Sequence, residues 1–310
     1  MDKVTVIVPN YNHSLFLEQR IESILNQTYE KFEIVILDDC STDASKNIIE
    51  KFRTNRHVSK IIYNEVNSGN TFSQWKKGIE LASNEYVWIA ESDDFSDVHF
   101  LDKVIPIIST NESVGLVFCD SFIVDKESKI TEIWSFASEF RINGKEASVI
   151  NGKDFAYNFL INKNVIPNAS AVVFRKAILI NNWKYLDTRM KNSSDWKLWL
   201  NFSLEHNVGY LPENLNYFRK HANNVTTSNF ILKLEALKII KELIKKNEDP
   251  LMYSKLYRSL LKWSFNPTAW IDQVQFNHSN IRFYFRGNIN YKSSKYFLNY
   301  LIKNWSRSNS

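Results

Sequence analysis

The first part of the chain alternates between two hydrophobic rhythms. Val4 to Val8 (VTVIV) is a β-branched run closed by Pro9, the pattern of a strand buried on both faces. Ser14 to Gln27 then sets Leu15, Leu17, Ile21, Ile24 and Leu25 near helical spacing behind a capping Ser14. Phe32 to Leu37 (FEIVIL) reads as a second buried strand, and Ser41-Thr42-Asp43 caps a helix running through Phe52. Lys60 to Tyr63 is a short third strand, Phe72 to Ala82 is helical, and Tyr86 to Ala90 (YVWIA) is a fourth strand. This β-α-β-α-β-α-β order predicts a parallel sheet with right-handed crossovers. Such sheets bind ligands at the carboxyl ends of their strands. Three polar clusters fall there: Pro9-Asn10-Tyr11-Asn12, Asp38-Asp39 and Ser92-Asp93-Asp94.

Further on the pattern thins. Asp97 to Ile108 reads as a helix, Val114 to Cys119 and Ala171 to Phe174 as strands, and Asp195 to Leu204 as a short buried helix. Phe230 to Lys246 is amphipathic, with Leu234, Leu237, Ile240, Leu243 and Ile244 on one face. The aromatic-rich stretch after it, to about Trp305, is expected to be helical. The organisation expected is an α/β domain over residues 1–228, with halves 1–110 and 111–228, followed by a basic aromatic tail over 229–310.

Charge sharpens that division. The tail from residue 230 carries 14 Lys/Arg against 5 Asp/Glu, a balance of +9, so the preceding residues are at −4 within a chain of +5. Such a tail can meet an anionic lipid surface or another subunit. Its Trp263, Trp270, Tyr284, Tyr291, Tyr296, Tyr300 and Trp305 suit a membrane interface, but equally a helical cap. No nucleic-acid module is recognisable. With 44% hydrophobic residues, 7 Gly and 6 Pro, the chain can build a core and is neither collagen-like nor low-complexity. No run reaches the ~18 apolar residues of a spanning helix, and MDKVTVIVPNYN does not read as a signal peptide. The expected location is cytoplasmic, with peripheral contact on the inner face of the plasma membrane as an option. Cys40 and Cys119 read as two free thiols.

No G-x-G-x-x-G or G-x-x-x-x-G-K-[ST] loop is present to grip phosphate. Carboxylates repel phosphate, so a divalent cation held by Asp oxygens is the chemistry that lets the strand-end acids bind it. Taken alone, Ser92-Asp93-Asp94 and Asp38-Asp39 are ordinary turns. Asp195 taken alone is a helix cap, with Ser193 and Ser194 as rivals.

In combination the segments VTVIVPNYN, ILNQTYEKFEIVILDDCSTD and NSGNTFSQWKKGIELASNEYVWIAESDD resemble the N-terminal half of family 2 glycosyltransferases of the GT-A fold, a Rossmann-like, mostly parallel sheet flanked by helices. SSDWKLWLNF and YFRKHANNVT resemble the family's acceptor-side segment and C-terminal Arg/His motif, so the likeness spans roughly residues 3–228. The wording is most similar to bacterial enzymes of surface-polysaccharide synthesis. The resemblance implies an inverting, metal-dependent transfer from a nucleotide-diphosphate sugar, UDP-sugar favoured, to a hydroxyl of a glycan or lipid-linked acceptor. It implies that Pro9 and Tyr11 line the base pocket, Asp39 accepts from the base, and Asp93 holds the ribose. It further implies that Asp94 binds Mn²⁺ or Mg²⁺, that His221 joins the metal or diphosphate, and that Asp195 is the general base, kept ionised by its helix N-terminus. One departure stands out: Trp75 occupies the position of a common family Arg, leaving Lys76 or Lys77 as substitute cations. Two rivals are a non-catalytic sugar-nucleotide or glycan-binding module, and a nucleotidyltransferase, for which PNYNHS offers no phosphate-gripping loop.

Overall fold

The computed structural model describes residues 2–140, 146–181, 185–221 and 229–246, together with 255, 259, 274–277 and 280–283. The first part follows the predicted rhythm. Strands β1 (Val4–Asn10), β2 (Phe32–Asp38), β3 (Val58–Tyr63) and β4 (Tyr86–Ile89) alternate with helices α1 (Ser14–Leu25), α2 (Ser45–Lys51) and α3 (Thr71–Leu81). β1 lies between β2 and β4, and β3 lies outside β2, all parallel. The continuous apolar runs of β1, β2 and β4 are buried, as helices on both faces require. Helix α3 sits close on β1 because Gly78 leaves room: a Cβ there would fall 2.3 Å from Ile7 Cγ2.

After the short β5 (Phe95–Ser96) and helix α4 (Phe100–Ser109), the sheet changes character. β6 (Val114–Val124), the edge hairpin strand β7 (Ile130–Trp134) and β8 (Ser148–Ile150) follow. The short helix α5 (Phe136–Phe140) lies between β7 and β8. Helix α6 (Gly152–Phe155) continues as a π-helical turn to Leu160, ahead of β9 (Val172–Arg175), α7 (Lys176–Asn181) and α8 (Ser194–Glu205). The long β10 (Asn207–Arg219) closes the first unit's sheet, in the order β3-β2-β1-β4-β9-β6-β10-β5. β9 is antiparallel to both β4 and β6, while β10 runs parallel to β6. The parallel sheet expected from the first four strands is therefore a mixed sheet across the second half.

β10 has no counterpart in the expected elements. Its sequence NVGYLPENLNYFR carries a Pro, a Glu and three Asn, and its ladder with β6 is bulged around Leu211 and Asn214. The bulges break the period-2 signal by which strands are read. The chain divides into two compact units, Met1–Glu235 and Ala236–Ser310. The division falls inside α9 (Asn229–Lys246) rather than before it. In the second unit, strands β11 (Val274–Asn277) and β12 (Asn280–Phe283) pair antiparallel, so the stretch expected to be helical also contains a hairpin. The aromatic residues that suited a membrane interface lie outside the described residues. Among the described residues, no helix is long and apolar enough to cross a membrane.

Candidate active site

Two of the three polar clusters zip together at the carboxyl ends of β1 and β2. Asn10 Nδ2 donates to Asp38 Oδ1 at 2.7 Å, and Asn12, in a left-handed conformation with φ 56°, accepts at Oδ1 from the Thr42 amide at 2.8 Å. Between them Tyr11 stands 46% exposed, a free aromatic face above the β1 end, while Pro9 is buried inside the strand. Asp39 is the residue expected to accept from the base. It is buried, Oδ1 accepts from Asn64 Nδ2 at 2.6 Å and Gln74 Nε2 at 2.9 Å, and Oδ2 accepts from Ser68 Oγ at 2.7 Å. The Ser68 amide donates to both oxygens. Its carboxylate thereby organises the loop from Asn64 to Asn70.

Asp94, the expected metal ligand, points inward: Oδ2 accepts from Asn168 Nδ2 and Ser170 Oγ, both at 2.6 Å, and Oδ1 accepts from the Arg219 amide at 2.9 Å. Burial, then the neighbouring Asp93 charge, pushes its carboxyl up to about 7. These three bonds tie the turn after β4 to the 3₁₀ turn ahead of β9 and to the end of β10.

Asp93 is the carboxylate that faces other ligand types. His221 Nε2 lies 3.0 Å from Asp93 Oδ2, and one ligand atom each of His13, Asp93 and His221 lie within 4.8 Å of one another. His13 sits at the N-terminus of α1, with Nδ1 2.8 Å from Ser92 Oγ, and its ring meets that of His221 edge-on at 5.6 Å. Burial alone would raise Asp93, but the His221 hydrogen bond and the His13 and His221 charges hold it below the ordinary carboxylate range. Burial pulls His13 down, against the opposing pull of Asp93. A divalent cation bound there would need both imidazoles neutral and the carboxylate ionised.

Arg219 builds the frame around this cluster. Fully buried, it donates from Nε to the Asp93 carbonyl at 2.7 Å, from one terminal nitrogen to the Asp125 carbonyl at 2.9 Å, and from the other to Gln19 Oε1 at 2.6 Å. It thus ties the end of β10, and with it His221, to the turn after β4 and to α1. Trp75, at the departure from the family pattern, donates from its indole to Glu91 Oε1 at 2.6 Å. Burial, with Asp93 adding to it, pushes Glu91 up to about 8. Lys77 donates to Asn64 Oδ1.

Asp195 lies in the first turn of α8, with Ser193 at the cap. Asn164 Nδ2 donates to Oδ2 at 3.1 Å, and Oδ1 is buried with no hydrogen-bond partner. Burial pushes the carboxyl up to about 6, outweighing the Trp196 amide and Asn164, and Glu235 raises it further. The helix N-terminus thus lowers this acid through the Trp196 amide, but desolvation is the larger effect.

Residues 5–177 match the model of glycosyl transferase family 2. The chain belongs to this family. A glycosyltransferase of Nostoc sp. is 26% identical over 230 residues, covering 72% of this chain and 66% of that protein. The poly(ribitol-phosphate) β-N-acetylglucosaminyltransferase TarS of Staphylococcus aureus (strain Mu50) is 27% identical over 199 residues, 63% of this chain but 31% of its own length. The chain thus spans from about one-third to two-thirds of these relatives. The structure of S. aureus TarS 1–349 with UDP superposes with TM-score 0.63 at 22% identity, covering 84% of this chain and 70% of that one. The mannosyltransferase PcManGT of Pyrobaculum calidifontis, solved with GDP-Man and Mn²⁺, superposes with TM-score 0.60 at 17% identity, covering 84% and 69%. These superpositions give the fold as the family's GT-A α/β architecture.

His13, Arg219 and Glu91 were not assigned roles from sequence. For His13 and Arg219 the signal is spatial, since α1 and β10 bring them to Asp93 or its turn from afar in the chain, whereas Glu91 stands beside that turn in sequence and is marked only by its Trp75 partner. Of the expected residues, Asp93 and His221 meet directly, Asp94 stands behind them, and Tyr11 and Asp39 occupy the adjoining strand ends.

Proposed function

We propose that the chain transfers a sugar from a UDP-sugar to a hydroxyl of a bacterial surface glycan or lipid-linked acceptor, with inversion and with a divalent cation. The observation that carries this reading is the His13, Asp93 and His221 cluster at the carboxyl end of β4. The donor set fits a divalent metal: two imidazoles and a carboxylate suit Mn²⁺ better than the all-oxygen preference of Mg²⁺. When bound there, the ion neutralises charge on the departing diphosphate. Asp93 takes the metal role expected of Asp94, and Asp94 holds the turn rigid. Tyr11 offers its exposed face to the base. Asp195, with one oxygen unpartnered and a pKa of about 6, accepts the proton of the incoming hydroxyl. A single displacement assisted by one base inverts the anomeric carbon. UDP is favoured because the TarS fold relative was solved with it.

A thermal-shift screen of UDP-, GDP- and dTDP-sugars with and without Mn²⁺ tests this reading. A UDP-sugar is expected to raise Tm only when Mn²⁺ is present, since the ligand and ion bind the native state together. Equal stabilisation with and without the ion would remove the metal from the proposal.

A further inference from the structure

The backbone leading into α8 is held by a side chain far along the sequence. The consecutive amides of Lys191, Asn192 and Ser193 all donate to the carboxylate of Glu235 in α9. Lys191 reaches Oε1 at 2.7 Å, and Asn192 and Ser193 reach Oε2 at 3.1 and 2.9 Å. A carboxylate seated on a row of N–H groups makes charge-assisted bonds, stronger than neutral ones. The same loop is pinned at other points. Asn70 Nδ2 donates to the Met190 carbonyl at 3.0 Å, and Asp187 accepts from Arg189 and lies 3.7 Å from Lys197 Nζ of α8. Asn70, Lys197 and Glu235 thus hold the loop from three helices, and Glu235 takes the last residues before α8 starts.

Asp195 is the second residue of that helix. We propose that Glu235 is a positioning residue for the reaction: it fixes the Lys191–Ser193 backbone so that Asp195 meets the acceptor hydroxyl in a geometry for proton transfer. The proposal rests on the reading of Asp195 as the base. Its second consequence is electrostatic. Among the groups acting on Asp195, Glu235 brings a negative charge from α9, Asn164 is neutral, and Lys197 on its own helix is paired with Asp187. Removing the Glu235 charge therefore makes Asp195 easier to ionise, and its titration moves to lower pH.

Three variants separate the possibilities: Glu235→Ala, Glu235→Gln and Asp195→Asn. The readouts are UDP release from the UDP-sugar selected by the thermal screen, and the ¹³C-carboxyl NMR titration of Asp195, which needs no substrate. Glu235→Ala is expected to lower kcat by about 10–100-fold with donor KM little changed, the scale of a misaligned catalytic group. Glu235→Gln, which keeps an acceptor oxygen and the side-chain size, is expected to lose less turnover and to shift the Asp195 titration downward. Unchanged kcat and an unmoved Asp195 titration in both variants, with Asp195→Asn inactive, would overturn the role of Glu235 and leave the base in place. A kcat loss that only parallels a fall in Tm, with the titration unmoved in Glu235→Gln, would overturn it as well. Full turnover in Asp195→Asn would instead remove the base on which the proposal rests.

Discussion

Asp93 and Asp195 are both sheltered carboxylates, yet their surroundings drive them apart. At the end of β4, His13 and His221 gather beside Asp93 and hold it in its charged form. At the start of α8, Asp195 has an amide on one oxygen, nothing on the other, and a pKa raised to about 6. A group that must hold a cation has to stay ionised, whereas one that must take a proton works best near the working pH. Pairs of acids pushed apart in this way mark a division of labour between charge binding and proton transfer.

The contrast breaks most visibly at Asp195. Asp195→Asn keeps the volume and an oxygen for Asn164 but cannot accept a proton. Its turnover is expected to fall by about 10²–10⁴-fold, the usual worth of a general base, with nucleotide binding measured by calorimetry unchanged. Turnover within tenfold of the parent would mean that proton transfer lies elsewhere. In the unsubstituted protein the same group predicts a pH profile. As the proposed base, Asp195 would act only when deprotonated, so kcat should decline as pH falls through about 6 and level off above it.

The next largest effect separates two adjacent residues. Asp93→Ala is expected to abolish the Mn²⁺-dependent part of nucleotide stabilisation while leaving Tm without ligand nearly intact, because Asp93 faces the two histidines. Asp94→Ala is expected to do the reverse. It strands the Asn168, Ser170 and Arg219 donors, at roughly 1–3 kcal/mol for each buried group left unpaired, so Tm falls first. Loss of Mn²⁺ linkage in a well-folded Asp94→Ala would restore the metal to Asp94.

The first half of the fold was legible because β1, β2 and β4 are continuous apolar runs punctuated by polar strand ends. The second half was not, because β10 mixes Asn, Glu and Pro with apolar residues and is bulged against β6. The site divides in the same way. PNYN, DD and SDD were visible as clusters, but which Asp of the pair faces outward depends on Asn168, Ser170 and Arg219, donors from chain segments far from the turn. His13 lay within a quoted segment with no pattern to mark it. Glu235 lay on a helix whose sequence showed only amphipathic spacing.

The smallest effect concerns stability and tests whether Asp195 is held charged at a cost. Its pKa is raised from an ordinary 3.8 to about 6, so the folded state binds its proton more tightly than the unfolded state does. Folding stability from this group is therefore greatest below the unfolded value and falls as pH rises towards 6, beyond which the full penalty persists. Two units correspond to roughly 3 kcal/mol as an upper bound, reduced because the residue is only partly sheltered. Asn at this position carries no charge to desolvate. Asp195→Asn should then be more stable than the parent at pH 7.5, and the two should converge at pH 4, in denaturant melts at both pH values. A variant that gains stability as it loses turnover is the expected mark of an active-site group kept against the interest of the fold. Equal stability of the two proteins at both pH values would place the Asp195 carboxylate in water, and its contrast with Asp93 would then disappear.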